Sequence, residues 1–313
     1  MMKSCPKIVF SFDFELGWGV LDSPIWKHRE EKEIYTNLRP IFDSLVQLLH
    51  ETKVPTTWAI VSSLLAKSER DINIDHLPVS YQNSVTRFYR ESEKFSHCGL
   101  DLIDKLESID SLIEIASHTS THIYGEYQDI LSEQYVEDVR ISIEVLESYF
   151  SRPITSLVFP RDQANFNNEI AKKFPLNFRL NPSYGDNTSK MGRMISGASR
   201  IYKMPPHSKI IMGQYGENYQ TGSLYFNWSG GSYERIKKAL TKIQVNRMLS
   251  DMHNESIYHI WLHPFNLAES SQHFSMFAEF IRNIAELRDK GLIEIVTMED
   301  VKNNGLKEIG FNG

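Results

Sequence analysis

Short apolar segments alternate with longer amphipathic segments along most of the chain. Apolar and β-branched runs predict buried strands at 7–13, 54–61, 112–117, 156–159, 257–262 and 292–296, with weaker candidates at 178–180 and 200–202. Apolar residues recur at helical spacing over 38–51, 132–149 and 276–290. This alternation predicts an α/β fold with a parallel sheet that is covered on both faces.

Residues 66–110 interrupt the alternation with a polar, aromatic and mostly helical pattern, which is typical of an insertion or a lid. The full length of 313 residues suits two domains or one elaborated β/α barrel equally well, because such barrels commonly use about 250 residues. As one barrel, the chain would form a single domain over 1–313 with the insertion inside it.

Composition and charge exclude several classes of protein. The chain has 41% hydrophobic and 24% charged residues, as soluble globular proteins do, and its net charge of −6 provides no positive field for nucleic acid. Cys5 and Cys98 lie far apart, so neither a disulfide framework nor a thiolate zinc site is expected. The first apolar run is too short for a signal peptide or a membrane span. We expect a cytoplasmic protein that would meet any lipid-linked substrate at the membrane surface.

Candidate chemistry lies directly after the predicted strands. The carboxyl ends of the strands of a β/α barrel share one rim, where active sites form, so distant residues can meet there. The polar residues at these positions are Asp13, Glu15, His118, His122, Arg161 and His263.

His118 and His122 lie one helical turn apart, which lets both imidazoles face one point. Such a pair suits a divalent metal, most simply Zn²⁺, completed by a carboxylate from Asp13 or Glu15. Those two carboxylates leave a strand on the same face if the strand continues through Glu15. The alternatives are one packed and one exposed histidine, and solvated acids at the end of a strand.

The chain resembles a known family at these positions: the polysaccharide deacetylases with the NodB homology domain, carbohydrate esterase family four. The segment 11–15, Ser-Phe-Asp-Phe-Glu, resembles the first motif, T-F-D-D-G, and 118–122 matches the second, H-[ST]-x-x-H. The third motif, R-x-P-x-G, is represented by Arg161 alone, and 260–263 is similar to the last motif, which ends in the catalytic histidine. The aspartate of the fourth motif is not evident near 225–228.

The resemblance implies a distorted β/α barrel of the NodB type and a metal-dependent N-deacylase. Transferred directly, the first motif makes Asp13 the base and leaves Glu15 to reach the metal, whereas the competing register makes Asp13 the ligand. Arg161 would orient the base, and His263 would protonate the leaving amine. Aromatic faces of Trp18, Tyr225 and Trp228, in loops next to glycines, would stack on sugar rings if they are not ordinary core residues.

The substrate class implied is an N-acetylated or N-formylated sugar, glycolipid or oligosaccharide, used in a step of cell-surface polysaccharide assembly such as that of O-antigen or lipopolysaccharide. Two rival hypotheses remain. One is a glycosidase that uses Asp13 and Glu15 as acid and nucleophile, against which the histidine pair argues. The other is a carbohydrate-binding pseudoenzyme, suggested by the altered first and third motifs.

Overall fold

The computed structural model describes residues 5–180, 207–227, 234–252 and 256–303. Within these ranges ten strands form one sheet: β1 (Lys7–Phe14), β2 (Thr56–Ile60), β3 (Ile113–Ser117), β4 (Ser156–Val158), β5 (Asn177–Leu180), β6 (Ile210–Met212), β7 (Asn218–Thr221), β8 (Leu224–Tyr225), β9 (Ile257–Leu262) and β10 (Glu294–Val296). The α-helices are Ile25–Glu31, Ile34–Thr52, Val79–Glu91, Lys94–His97, Leu100–Ile103, Ser132–Phe150, Asn167–Lys173, Glu234–Asp251 and Ser271–Asp289. Short 3-10 helices cover Trp18–Val20, Ser62–Leu65, Glu69–Asp71, Asp104–Leu112, Pro160–Asp162, Pro264–Ala268 and Glu299–Asn303.

The strand order is β6-β7-β5-β4-β3-β2-β1-β9-β8, and β10 pairs with the first half of β1. Every described pair is parallel except β6 with β7. The predicted α/β fold with a parallel sheet is confirmed. The weak strand candidate at 200–202 lies outside the described residues.

Successive side chains of β1 point to opposite faces of the sheet, so they belong to two different apolar clusters. Ile8, Phe10, Phe12 and Phe14 belong to the large core between the sheet and the helices. Val9 belongs instead to a small cluster with Ala59, Ala116, Val158 and Met298, on the concave side of the sheet. The residues that follow Val9 at every second position, Ser11 and Asp13, are therefore directed to the same concave side.

The sheet is strongly curled into a half-barrel. Four strand spacings of about 4.8 Å separate β5 from β1, so a flat sheet would hold these strands about 19 Å apart. The Arg179 guanidinium on β5 nevertheless contacts the Asp13 carboxylate on β1 at 2.6 Å. Only curvature brings these two strands within reach of one side chain.

Residues 66–110 pack over the loops at the carboxyl ends of the strands. The Phe88 ring meets Trp18 and Trp26 edge to face, at centroid distances of 5.4 and 5.6 Å. The Tyr81 hydroxyl donates to the carbonyl of Thr121 at 2.9 Å, beside the second histidine. The role of this segment as an insertion or lid stays a prediction. None of the helices in the described ranges combines the length and apolarity that a membrane crossing requires.

Candidate active site

The parallel register brings three polar strand ends to one level. Asp13 pairs with Ala59 and Phe14 with Ile60, and Ile60 in turn pairs with Ser117. Glu15 and His118 therefore leave the sheet at the same level, on either side of β2. His263 follows β9, whose last residue, Leu262, pairs with Phe12. The structure thus brings together side chains that are separated by up to 250 positions in sequence.

Glu15, His118 and His122 form one buried cluster. Their ligand-type atoms all lie within 4.8 Å of one another, and each residue is at most 6% exposed. The Glu15 Oε2 atom lies 2.8 Å from His122 Nε2 and 3.4 Å from His118 Nε2. Gly19 allows this placement, because a Cβ atom there would lie 2.0 Å from Glu15 Oε1.

The donor set fits a divalent metal. His118 Nδ1 lies 2.8 Å from the carbonyl of Val158; a carbonyl can only accept, so Nδ1 carries a hydrogen, and Nε2, which faces Glu15, is the nitrogen that can hold either a proton or a metal ion. A lone pair facing a carboxylate requires a proton or a cation between them. Two imidazole nitrogens with one carboxylate are ligands that Zn²⁺ accepts, and a histidine bonded to a carbonyl is typical of metal sites.

Burial and neighbouring charges have opposite effects on the pKa values of the three residues in this cluster. Burial raises the pKa of Glu15, but the charges of His263 and His122, with hydrogen bonds from both cluster histidines, hold that pKa well below its usual range. For His118, burial lowers the pKa, and the hydrogen bond and charge of Glu15 with the charge of Asp13 raise it overall. For His122, burial prevails and the pKa is lowered. The carboxylate is thus ionised and available as a ligand.

Asp13 has a different partner. Arg179 donates to both of its carboxylate oxygens at 2.6 Å and to the Ser11 hydroxyl at 2.9 Å, and both charged side chains are almost fully buried. Burial raises the pKa of Asp13, but the charge and hydrogen bonds of Arg179 outweigh it, so the pKa is lowered overall. The Arg179 guanidinium also lies over the ring of Trp261, 4.6 Å from its centroid. This geometry favours Glu15 over Asp13 as the residue that joins the histidines.

The pairing expected of Arg161 is wrong. Its guanidinium contacts Asp22 Oδ1 at 2.7 Å and lies over the ring of Tyr124 at 3.8 Å. Arg161 adopts a left-handed backbone conformation, φ 54°, in the turn after β4, which directs the side chain to the rim. Arg179, from the next strand, takes the position at Asp13. The signal for it was a charged residue between the apolar Phe178 and Leu180 of a weak strand, since an arginine is rarely buried without a partner.

His263 lies at the open side of the cluster. Its Nε2 atom is 3.4 Å from Glu15 Oε1, and its side chain is 18% exposed. Asn266 donates to Glu269 through its amide nitrogen, so its oxygen faces inward and accepts from the Tyr225 hydroxyl at 3.0 Å. The Tyr225 oxygen then accepts from His263 Nδ1 at 2.9 Å. These bonds assign the hydrogen to Nδ1 and leave Nε2 to exchange protons on the side of Glu15. The sequence pattern does not predict this network.

The expected sugar-stacking role of Trp18 is wrong. Trp18 is fully buried, and its indole nitrogen donates to the carbonyl of His97 at 2.9 Å. The turn after β1 therefore folds inward under the 66–110 segment. Trp228, another expected stacking residue, lies outside the described residues. His259 lies inside β9 and is fully buried in the core; burial, and then the charge of Arg179, lower its pKa to about 3.

Comparison with solved structures identifies the fold. The chain is similar to a protein from Mycobacterium smegmatis described as a polysaccharide deacetylase, with a TM-score of 0.61 and 14% identity over 96% of this chain and 90% of that one. A polysaccharide deacetylase described from Pseudomonas aeruginosa PAO1 gives a TM-score of 0.55 at 12% identity, with the same coverage of both chains. The PuuE allantoinase gives 0.56 at 11% identity, again over 96% and 90%.

No family model matches the chain, and no curated protein matches it in sequence. The solved structures are too distant in sequence to show more than architecture. They confirm that the chain has the β/α fold of the polysaccharide deacetylases, as the resemblance implied.

Proposed function

We propose that the protein is a metal-dependent hydrolase that removes an N-acyl group, acetyl or formyl, from a sugar. One observation carries the proposal: the buried group of Glu15, His118 and His122 lies next to a second carboxylate, Asp13, and beside His263. Amide hydrolysis needs these parts, namely a metal site, a base and an acid.

Glu15, His118 and His122 would hold the metal, with Zn²⁺ the ion that best matches these ligands. When bound, such an ion polarises an amide carbonyl and makes water a stronger acid. The low exposure of all three residues keeps competing solvent away from the ligand atoms. The single carboxylate leaves positive charge on the site, which suits a carbonyl oxygen that becomes negative during the reaction.

Asp13 is the base. Arg179 keeps its carboxylate ionised, and the two guanidinium bonds fix the plane of the carboxylate. Each carboxylate oxygen has a second lone pair that can accept a proton from water. His263 is the acid: its Nε2 atom faces the cluster, and Tyr225 holds the opposite side of the ring. Proton delivery from Nε2 to the amine nitrogen lets the carbon–nitrogen bond break.

The glycosidase alternative needs a carboxyl group with a raised pKa to serve as acid. Partner charges lower the pKa of both Asp13 and Glu15. Neither carboxyl group of the pair is suited to hold a proton near pH 7, which argues against that alternative.

The test is hydrolysis of a panel of N-acetyl and N-formyl sugars, free, nucleotide-linked and lipid-linked, with the released acid and the new amine quantified together. Activity that disappears with a chelator, returns with Zn²⁺ and is absent from the His118→Ala/His122→Ala variant would support the proposal. Stoichiometric metal with no amine released from any substrate would favour the carbohydrate-binding alternative. Allantoin belongs in the panel, because one structure with this fold is described as an allantoinase.

The proposed place of this reaction is the assembly of cell-surface polysaccharide, such as O-antigen or lipopolysaccharide. The His118–His122 segment resembles a motif of polysaccharide deacetylases, which supports a polysaccharide or a precursor of one as the substrate. Preference for lipid-linked over free sugars in the same panel is the expected result.

A further inference from the structure

A buried carboxylate lies behind the loop that carries the two histidines. Asp138 is in the middle of the helix Ser132–Phe150 and is fully buried. Its Oδ2 atom accepts from the backbone nitrogens of Ser120 and Thr121 at 2.8 and 3.2 Å. Its Oδ1 atom accepts from the Thr121 hydroxyl at 3.1 Å and lies 3.2 Å from His76 Nε2. Three of these four contacts are to the two residues directly before His122.

The loop needs such support because its backbone is not relaxed. Thr119 and His122 both have left-handed conformations, with φ of 63° and 62°, which residues with a Cβ atom adopt at a cost. Such conformations persist only where the surrounding structure determines them fully. Here they turn the chain sharply after His118, so that His122 comes back towards Glu15.

Different parts of the protein bind the two sides of the loop. On one side, the backbone nitrogens of Ser62 and Ser63 donate to the carbonyls of Thr119 and Ser120 at 3.2 and 3.0 Å. On the other side, the loop's own nitrogens point at Asp138. Neighbouring backbone binds the carbonyls of Thr119 and Ser120, whereas one side chain accepts from the nitrogens of Ser120 and Thr121. Removing that side chain would leave buried donors without an acceptor, and the loop would have to move to satisfy them.

We propose that Asp138 is a positioning residue for the metal site: by binding Ser120 and Thr121 it sets the separation and direction of His118 and His122. This inference rests on the proposed metal site and assigns a function to a residue outside it. A carboxylate suits this position, because its two oxygens accept from three loop donors and its charge strengthens those bonds. Asparagine has the same shape but no charge, and an amide nitrogen in place of Oδ1 would force the Thr121 hydroxyl to change from donor to acceptor. Through His76, the same carboxylate also ties the 66–110 segment to the histidine loop.

The experiment compares zinc affinity among wild type, Asp138→Asn and Glu137→Gln, each stripped of metal and titrated with Zn²⁺ against a chromophoric chelator. Glu137 is the matched control, because it lies on the same helix and loses the same charge but contacts Arg140 rather than the loop. Asp138→Asn is expected to bind zinc about 10- to 100-fold more weakly, the range for residues that orient metal ligands. Glu137→Gln should bind as wild type does.

Thermal unfolding of the metal-free proteins separates positioning from a general structural role. A purely structural role predicts a lower unfolding temperature with unchanged zinc affinity in the folded protein, and that result would overturn the inference. If Asp138→Asn does not fold, Thr121→Val removes one of the loop donors and keeps the carboxylate; a several-fold loss of zinc affinity is expected, and no loss would overturn the inference. Wild-type protein that binds no zinc would instead remove the proposed metal site, and this inference with it.

Discussion

The pair formed by Arg179 and Asp13 offers the sharpest test of the site. Replacing Arg179 with methionine keeps an unbranched side chain of similar length but leaves the Asp13 charge without its partner. The two side chains are 1% and 5% exposed and are joined by two bonds of 2.6 Å, so the costs of a buried pair apply and not those of a surface pair. Loss of one partner from such a pair costs roughly 3 to 5 kcal/mol. We expect this loss in the free energy of unfolding near pH 7.

The difference in unfolding free energy between the wild type and Arg179→Met should depend on pH. In the wild type the pKa of Asp13 is lowered, so its contribution to stability is present above the unfolded pKa of about 3.9 and is lost as the pH falls. In Arg179→Met, Asp13 is still buried but lacks the positive charge of Arg179, so we expect the pKa of Asp13 to be raised. The variant should then lose stability as the pH rises. The difference between the two proteins should therefore increase from pH 4 to neutral pH.

Urea unfolding followed by circular dichroism, with a chelator present and at several pH values from 4 to 8, measures this difference. Arg179→Met/Asp13→Asn is the control, because it removes the buried charge together with its partner and should be more stable than Arg179→Met at pH 7. A loss below about 1 kcal/mol, or one that does not vary with pH, would show that the pair is solvated and would refute the reasoning.

Three further results are expected. Replacing His263 with alanine should lower kcat by about 10² to 10⁴-fold with zinc content unchanged; near-normal turnover on the proposed substrates would remove its assignment as acid. Gly19→Ala should weaken zinc binding, measured by chelator competition, because the new Cβ would lie 2.0 Å from Glu15 Oε1, and unchanged affinity would contradict this. Glu114 lies in the barrel interior, and burial raises its pKa despite hydrogen bonds from Ser156 and Thr57; its stabilising effect is therefore present at low pH and lost as the pH rises through that raised pKa. Glu114→Gln should lack this dependence in urea unfolding at pH 4 to 8, and equal slopes for both proteins would count against it.

Local pattern was sufficient to predict seven of the ten described strands and the polar residues at their ends, but it did not predict β6, β7 or β8. An apolar run such as that before Asp13 has few alternatives to a buried strand, and the shared rim of a parallel sheet follows from its connections. Glu15, His118, His122 and His263 could therefore be expected to meet. The choice between Asp13 and Glu15 as the partner of the histidines was open, because it depends on which of the two carboxylates is bound by another side chain.

That other residue could not be identified from pattern, because its position depends on the curvature of the sheet. Arg161 was the reasonable candidate for holding Asp13, since it directly follows β4, but its left-handed backbone turns it towards Asp22. Arg179 is four strands from Asp13 along the sheet, and only the curl makes them neighbours. Curvature arises from the accumulated twist of many strands and from packing on the small concave residues Ala59 and Ala116, where larger side chains would hold the sheet open. Which arginine binds Asp13 thus depends on the shape of the whole sheet, whereas the two histidines lie in one loop and can be recognised from their spacing.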